Sequence, residues 1–493
     1  MGAELLGLRP GLVFAGAQLM DVAAVGAAAH LALRLPSGEA LTFVLDLTGP
    51  VGPFPQCPTL TYRSTPLPFS VVEPIGHALA QAIAAAASGA LPAQLRAWQG
   101  EASSLEANLD ALVDRPGRSL RVAEFSSADL IAARPCVVPW TRLELGFAQQ
   151  VGPCCADFQV QPQTATGPPL DLWQSAPLRG FRRALASPGH PATCRRSCPR
   201  LAGRSDALDS LVLRGGTRAF VDNQRLALSA IIAGDERPRN TPLELVVSTT
   251  SHCNYDCLMC HFGQEGSLSD EPPASFYASL EPLWPGLARF EALGGEPLAS
   301  PVFRDFLAGP TLRQYPDVRV ALTTNGSYLT AAELDRLAGV SFEHLTISLN
   351  AATPDTYRDV NRGLPWLRIR HNLDALLDRK RNRHNPESVS YSMVILRRNH
   401  GEIAAFAELA EKDGVGVRFM LPMNDRGGQS FLTDAGLMRE VEAQLREVAR
   451  RLHARGQIGD ARRASGEAEV LRDRLARGVL RPLPDDVVQL RRG

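Results

Sequence analysis

Between residues 241 and 430 short apolar runs alternate with longer stretches of helical period. The runs fall at 243–248, 289–293, 318–323, 344–349, 388–395 and 415–421, with the helical patterns near 274–283, 301–307, 331–337, 366–377 and 402–413 between them. An apolar run of five to eight residues bounded by polar positions predicts a buried strand. Repeated strand–helix units of this length predict a parallel sheet with right-handed crossovers. Six such units suit a partial (β/α)6 barrel, and by themselves they also suit an open doubly wound sheet. In either case chemistry is expected at the C-terminal ends of the strands.

The flanking segments are patterned differently. Residues 1–118 carry a strand at 40–47, a proline-rich connection at 50–58 and an alanine-rich helical stretch at 76–87, which predicts a small α/β domain of unknown role. Residues 119–205 predict a strand over 137–145, a hairpin whose turn and second strand lie at 152–155, and a helix over 178–186. A linker at 206–240 holds a helix over 223–233 and a break at 238–242. The tail, 431–493, has two helical patterns, 434–452 and 465–475, whose arginines alternate with acids as on solvated helix faces.

The chain has 493 residues, 45% hydrophobic and 21% charged, with a formal net charge of zero. That is the profile of a globular protein of several domains, and it gives no bulk attraction to nucleic acid or to an anionic membrane. The apolar stretch at 12–35 is interrupted by Asp21 and His30, and the one at 78–91 is short, so no membrane span or signal peptide is expected. A reducing cytoplasm is the expected compartment, where clustered cysteines bind metal or do chemistry more often than they form disulfides. Of the nine cysteines most lie in two clusters, and Cys57 stands alone as a packing residue.

One cluster follows the first strand: Ser251-His252-Cys253-Asn254-Tyr255-Asp256-Cys257-Leu258-Met259-Cys260. Three thiolates on one loop can converge on one face of an iron–sulfur cluster, which takes soft sulfur ligands. A four-iron cluster has four corners, so one iron is left open to a substrate or cofactor; a zinc knuckle or structural cluster is the plain alternative. Further motifs follow later strands: Gly294-Gly295-Glu296-Pro297, then Thr323-Thr324-Asn325-Gly326, then the stretch from Ser348 through Asn350 to Tyr357, and finally Leu421-Pro422-Met423-Asn424.

Taken in this order, the motifs resemble the signature of radical S-adenosylmethionine (SAM) enzymes. The resemblance implies that Cys253, Cys257 and Cys260 hold a catalytic [4Fe-4S] cluster whose open iron chelates SAM. It further implies that Gly294, Gly295 and Glu296 hold the SAM amino group and that Asn325 lines the cavity. Ser348 and Asn350 would lie near the ribose and methionine, Arg362 near the carboxylate, and Leu421 and Met259 against adenine. Asn350 stands where an aspartate is usual, and Met259 where an aromatic residue is common.

The second set of cysteines, Cys136, Cys154, Cys155, Cys194 and Cys198, surrounds Val137-Val138-Pro139-Trp140 and Leu172-Trp173-Gln174-Ser175. It is similar to the SPASM or twitch auxiliary module, which implies a second [4Fe-4S] cluster with one of Cys154 and Cys155 as its fourth ligand. Tetrahedral zinc suits four cysteines equally well. In the family the module usually follows the barrel; here it precedes it, so it either docks at the barrel mouth or serves structure alone. The implied activity is cleavage of SAM to a 5′-deoxyadenosyl radical and removal of hydrogen from a peptide or small-molecule substrate, an oxidative modification. The implied electron donor is a flavodoxin or ferredoxin. The alternatives are a redox-neutral transferase or epimerase, and a non-catalytic iron–sulfur or zinc sensor.

Overall fold

The computed structural model describes residues 109–121, 136–147, 150–154, 166–186, 212–260 and 271–481, together with Ile75, residues 163–164 and the strands between residues 13 and 62. The helix expected at 76–87 lies outside the described residues, as do Cys57, Cys155, Cys194 and Cys198. Two compact units emerge. One comprises Met1–Thr141, Leu178–Ala192 and Arg200–Thr241; the other comprises Arg142–Pro177, Thr193–Pro199 and Pro242–Gly493.

In the first unit β1 (Val13–Phe14), β2 (Ala17–Val25), β3 (Ala28–Arg34), β4 (Ala40–Asp46) and β5 (Leu60–Tyr62) form an antiparallel meander in chain order. The apolar stretch at 12–35 is thus a run of sheet strands. Leu31 and Leu33 alternate toward the interior, and Leu31 pairs with buried Phe43. A further strand, β6 (Ser119–Arg121), pairs with Val212–Arg214, which is β10 in chain order.

The strand expected at 137–145 begins later. Val138–Thr141 is a helical turn, because Pro139 has no amide proton to give a ladder and its φ already suits a first turn. Trp140, fully buried, donates its indole N–H to the Asp235 carbonyl at 2.7 Å, and buried Arg182 donates to the Pro139 carbonyl at 2.8 Å.

The second unit is built on one nine-stranded sheet. Its strands are β7 (Arg142–Leu145), β8 (Gln150–Gly152), β9 (Gln163–Thr164), β11 (Glu244–Ser248), β12 (Arg289–Leu293), β13 (Arg319–Thr324), β14 (Phe342–Ser348), β15 (Ser388–Val394) and β16 (Gly416–Met420). Strands β11 to β16 lie side by side in chain order and all parallel, the arrangement of a partial (β/α)6 barrel. All six predicted runs are strands, displaced by at most two residues at either end. Helices Pro301–Ala308, Ala331–Arg336, Trp366–Arg383 and Ile403–Lys412 fall where the helical period placed them.

The sheet does not stop at β11. Strand β7 pairs parallel to it, with Arg142 opposite Glu244 and Leu145 opposite Val247, and β8 and β9 follow antiparallel. The segment that reads as part of a separate module therefore supplies three strands to the barrel sheet. An aromatic cluster outside β12 holds that strand in place. Tyr277 and Phe306 stack at 4.7 Å between centroids, Trp284 lies 5.8 Å from Phe306, and Phe290 of β12 lies 5.7 Å from it. Such pairs contribute about 0.5–1.5 kcal/mol each beyond the area they bury. In the tail, helices Ala435–Ala454 and Ile458–Ala476 pack on each other and the second against β16. Among the described residues no helix is long and apolar enough to cross a membrane.

Candidate active site

The three cysteines of the first motif lie on the loop that leaves β11, at the C-terminal end of the parallel strands, and each is half-buried. Backbone bonds tie this loop to the turn after β12. The Thr249 amide donates to the Leu293 carbonyl at 2.8 Å, that of Gly295 to Thr250 at 2.7 Å, and that of Glu296 to His252 at 2.9 Å. Gly294 and Gly295 exist because of this contact. A Cβ on Gly294 would stand 2.4 Å from the Thr250 carbonyl oxygen, and one on Gly295 would stand 2.3 Å from that of His252. The close approach these glycines permit is to the cysteine loop.

Glu296 is wholly enclosed. Its Oε1 accepts from the Leu298 amide at 3.1 Å and from the Thr324 hydroxyl at 2.8 Å, and its Oε2 accepts from the Asn325 amide at 2.6 Å. The side chain thereby caps the short helix Pro297–Ala299 and pins the loop after β13. Burial outweighs these three donors and pushes its carboxyl up to about 7.

Asn325 reaches back to the cysteines. Its Nδ2 lies 3.8 Å from Cys253 Sγ and 2.9 Å from Asn254 Oδ1, and Asn254 in turn donates to the Ser327 hydroxyl at 3.0 Å. The other side of the loop rests on the helix Pro354–Asn361. There the Leu258 amide donates to the Val360 carbonyl at 2.7 Å, and the buried hydroxyls of Tyr255 and Tyr357 meet at 3.0 Å. Beyond β16, Asn424 donates to the Met259 carbonyl at 3.4 Å, and Arg426 donates to the Cys257 carbonyl at 3.4 Å and pairs with Asp256 at 3.2 Å. Loops from β12, β13, β14 and β16 thus converge on the loop from β11.

Asn350 follows β14 with φ 58°, a left-handed conformation that asparagine accepts more readily than most residues. It is 2% exposed, and its hydrogen bonds go to protein. Oδ1 accepts from the Val394 amide at 2.9 Å, and Nδ2 donates at 3.0 Å to Oδ1 of Asn361, which itself donates to the Leu349 carbonyl. An aspartate has no proton to give Asn361. Asn350→Asp is therefore expected to set two oxygens against each other and lower stability by about 1–3 kcal/mol, measurable as a fall in the denaturant midpoint.

The remaining expected residues are more peripheral. Ser348 ends β14, and Leu421 is buried one position past β16. Met259 is half-buried beside Cys260. The Arg362 side chain is 48% exposed, ends its helix with φ 49° and faces Asp256 at 3.8 Å. Tyr255, Asn254, Asn361 and Arg426 were missed by sequence reasoning. The first two stand inside the cysteine motif and Asn361 beside Arg362, so proximity was their only signal; Arg426 had none.

The donor set fits an iron–sulfur cluster. Burial pushes the Cys253 thiol up to about 11, with charge on Glu296 and Cys260 adding to the effect, and raises that of Cys257 further, with charge on Cys260, Cys253 and Asp256 adding there. Thiols give up their protons when they bind metal, so loading is expected to be proton-coupled.

Of the second set, Cys136 and Cys154 are described, both half-buried, and they fall in different units. Strand β8 ends at Gly152, before Pro153 rather than after it. In its antiparallel register Glu144 faces Gly152 and Leu145 faces Val151. The chain running on to Cys154 therefore heads toward the N-terminal ends of the parallel strands, away from the end where Cys253 lies.

Residues 247–410 match the family model of the Radical SAM superfamily. The chain is 27% identical over 214 residues to a probable GTP 3′,8-cyclase of Saccharolobus solfataricus, a match covering 42% of this chain and 66% of that protein, just under two thirds. It is 24% identical over 247 residues to a probable GTP 3′,8-cyclase of Methanothermobacter marburgensis, covering 48% of this chain and 77% of that one. A slighter likeness, 14% identity and TM-score 0.37 over 45% of this chain and 62% of the other, is to the structure of anSMEcpe with bound AdoMet.

Proposed function

We propose that this chain reductively cleaves SAM at Cys253, Cys257 and Cys260 and uses the product to remove a hydrogen atom from a small-molecule substrate. The observation that carries the reading is the convergence of four strand-end loops on a half-buried three-cysteine loop. Cluster and SAM, when bound, supply a one-electron cleavage that yields methionine and a 5′-deoxyadenosyl radical. The chain's own residues hold the cysteine loop in register through the Gly295 and Glu296 amides, and enclose it from the other side through Tyr255 and Tyr357. A nucleotide-like small molecule is favoured over a peptide because the relatives quoted above are named for a ring closure on GTP.

A redox-neutral reaction is the second reading. The heading of β8 carries Cys154 away from the barrel mouth, which disfavours an auxiliary cluster that accepts an electron from a substrate there. The N-terminal cysteines then hold zinc or no metal. Both readings are tested on protein reconstituted anaerobically with iron and sulfide and reduced in the presence of SAM. 5′-Deoxyadenosine is expected from the wild type and none from Cys257→Ala; a wild type that never cleaves SAM overturns the proposal and returns the sensor alternative. Iron counted in the variant lacking Cys253, Cys257 and Cys260 separates the rest. About four irons remaining per chain restores the auxiliary cluster, and almost none leaves the redox-neutral reading ahead.

A further inference from the structure

The two cysteines at the start of the motif are surrounded by opposite kinds of group. Cys253 Sγ has two N–H donors: the Tyr255 amide at 3.4 Å and Asn325 Nδ2 at 3.8 Å. Cys257 Sγ faces acceptors instead, the Asn361 carbonyl at 3.4 Å and Asn361 Oδ1 at 4.0 Å. A thiolate is an acceptor, so the first corner is stabilised by its neighbours in the negatively charged state and the second is not.

The orientation of the Asn325 amide is decided by its other bonds. A backbone N–H can only donate, and that of Ser327 lies 2.9 Å from Asn325 Oδ1. The oxygen must therefore face Ser327, which turns the NH2 group toward Cys253 and Asn254. The residue has little freedom to leave. It is 8% exposed, and its own amide is held by Glu296 Oε2 at 2.6 Å. Hydrogen bonds to the sulfurs of an iron–sulfur cluster favour its more negative, reduced form and so raise its reduction potential.

We propose that Asn325 is a positioning residue that sets the reduction potential of the cluster held by Cys253, through its Nδ2–H bond to that sulfur. The inference rests on the function proposed above and deepens it. It concerns how readily the centre is reduced, whatever the substrate.

The test is a redox titration of the reconstituted full chain, followed by electron paramagnetic resonance, with iron counted in parallel. Asn325→Ala removes the donor. Asn325→Asp keeps the acceptor for the Ser327 amide but turns a charged oxygen toward the sulfur. Ser327→Ala loosens the same amide network and leaves the N–H to sulfur bond in place. Both Asn325 variants are expected to shift to lower potential with iron content unchanged, the aspartate further than the alanine, while Ser327→Ala stays at the wild-type value. If Asn325→Ala keeps the wild-type potential, or Ser327→Ala moves as far as it does, the proposal is wrong. Failure of the wild type to take up any iron is a separate outcome, which sinks the cofactor reading and the proposal with it.

Discussion

Gly295→Ala is expected to abolish iron loading at Cys253, Cys257 and Cys260 and to lower the stability of the barrel by about 3 kcal/mol or more. The added methyl would lie 2.3 Å from the His252 carbonyl oxygen, 2.7 Å from the carbon of the same group and 2.8 Å from the Ser251 oxygen. These are backbone atoms one and two residues before Cys253, so no side-chain rotation relieves the clash. The loop must move, and the bonds from Gly295 to Thr250 and from Glu296 to His252 break with it. Gly401→Ala is the control, since nothing lies within 4 Å of its Cβ position; there the substitution is expected to be neutral or slightly stabilising. Iron per chain and the thermal midpoint, measured together on both variants, decide the matter. A Gly295→Ala protein that loads iron like the wild type would show that the close approach of the two loops is not needed.

The second large effect concerns Glu296 and pH. Its carboxyl has a usual value of 4.5, which burial raises to about 7 in the folded protein. Between these values the folded state holds more protons than the unfolded one, so stability falls as pH rises from about 4.5 to about 7 and then levels off. The span of that fall from this one group is at most about 3 kcal/mol. Glu296→Gln cannot ionise, but its NH2 group must face either the Asn325 amide or the Leu298 amide, both of them donors. The variant is therefore expected to be less stable than the wild type by about 1–3 kcal/mol near pH 5, and the gap should narrow as pH rises toward 8. Glu144 and Glu467 are also pushed to about 7 by burial and add slopes of the same sign. The informative quantity is thus the difference between variant and wild type in denaturant melts at several pH values. Two parallel curves would mean that Glu296 stays ionised throughout.

Much of the barrel was legible in the chain. The six runs from 243 to 421 became β11 to β16 because each is apolar over the length of one buried strand, and because sequential βα units pack as a parallel sheet with right-handed crossovers. The motifs after them were legible as a site for the same reason: a residue one or two positions past a parallel strand must come out at the C-terminal face. Sequence alone therefore placed the three cysteines and the later motifs at one end of the parallel strands.

What the neighbours of those cysteines do was decided by tertiary structure. The pairing of Arg142–Leu145 with β11 joins residues about a hundred positions apart, and nothing local in either strand names its partner. By resemblance Asn350 stands near the ribose and methionine in place of the usual aspartate; its pairing with Asn361 explains why an amide is needed there. The resemblance makes Gly294, Gly295 and Glu296 holders of the SAM amino group. The folded chain uses the glycines to let two backbones touch, and encloses the carboxylate among Leu298, Thr324 and Asn325. Periodicity records which side of a strand is buried, a local property of burial; which donor meets which acceptor depends on distances between segments that the chain brings together only by folding.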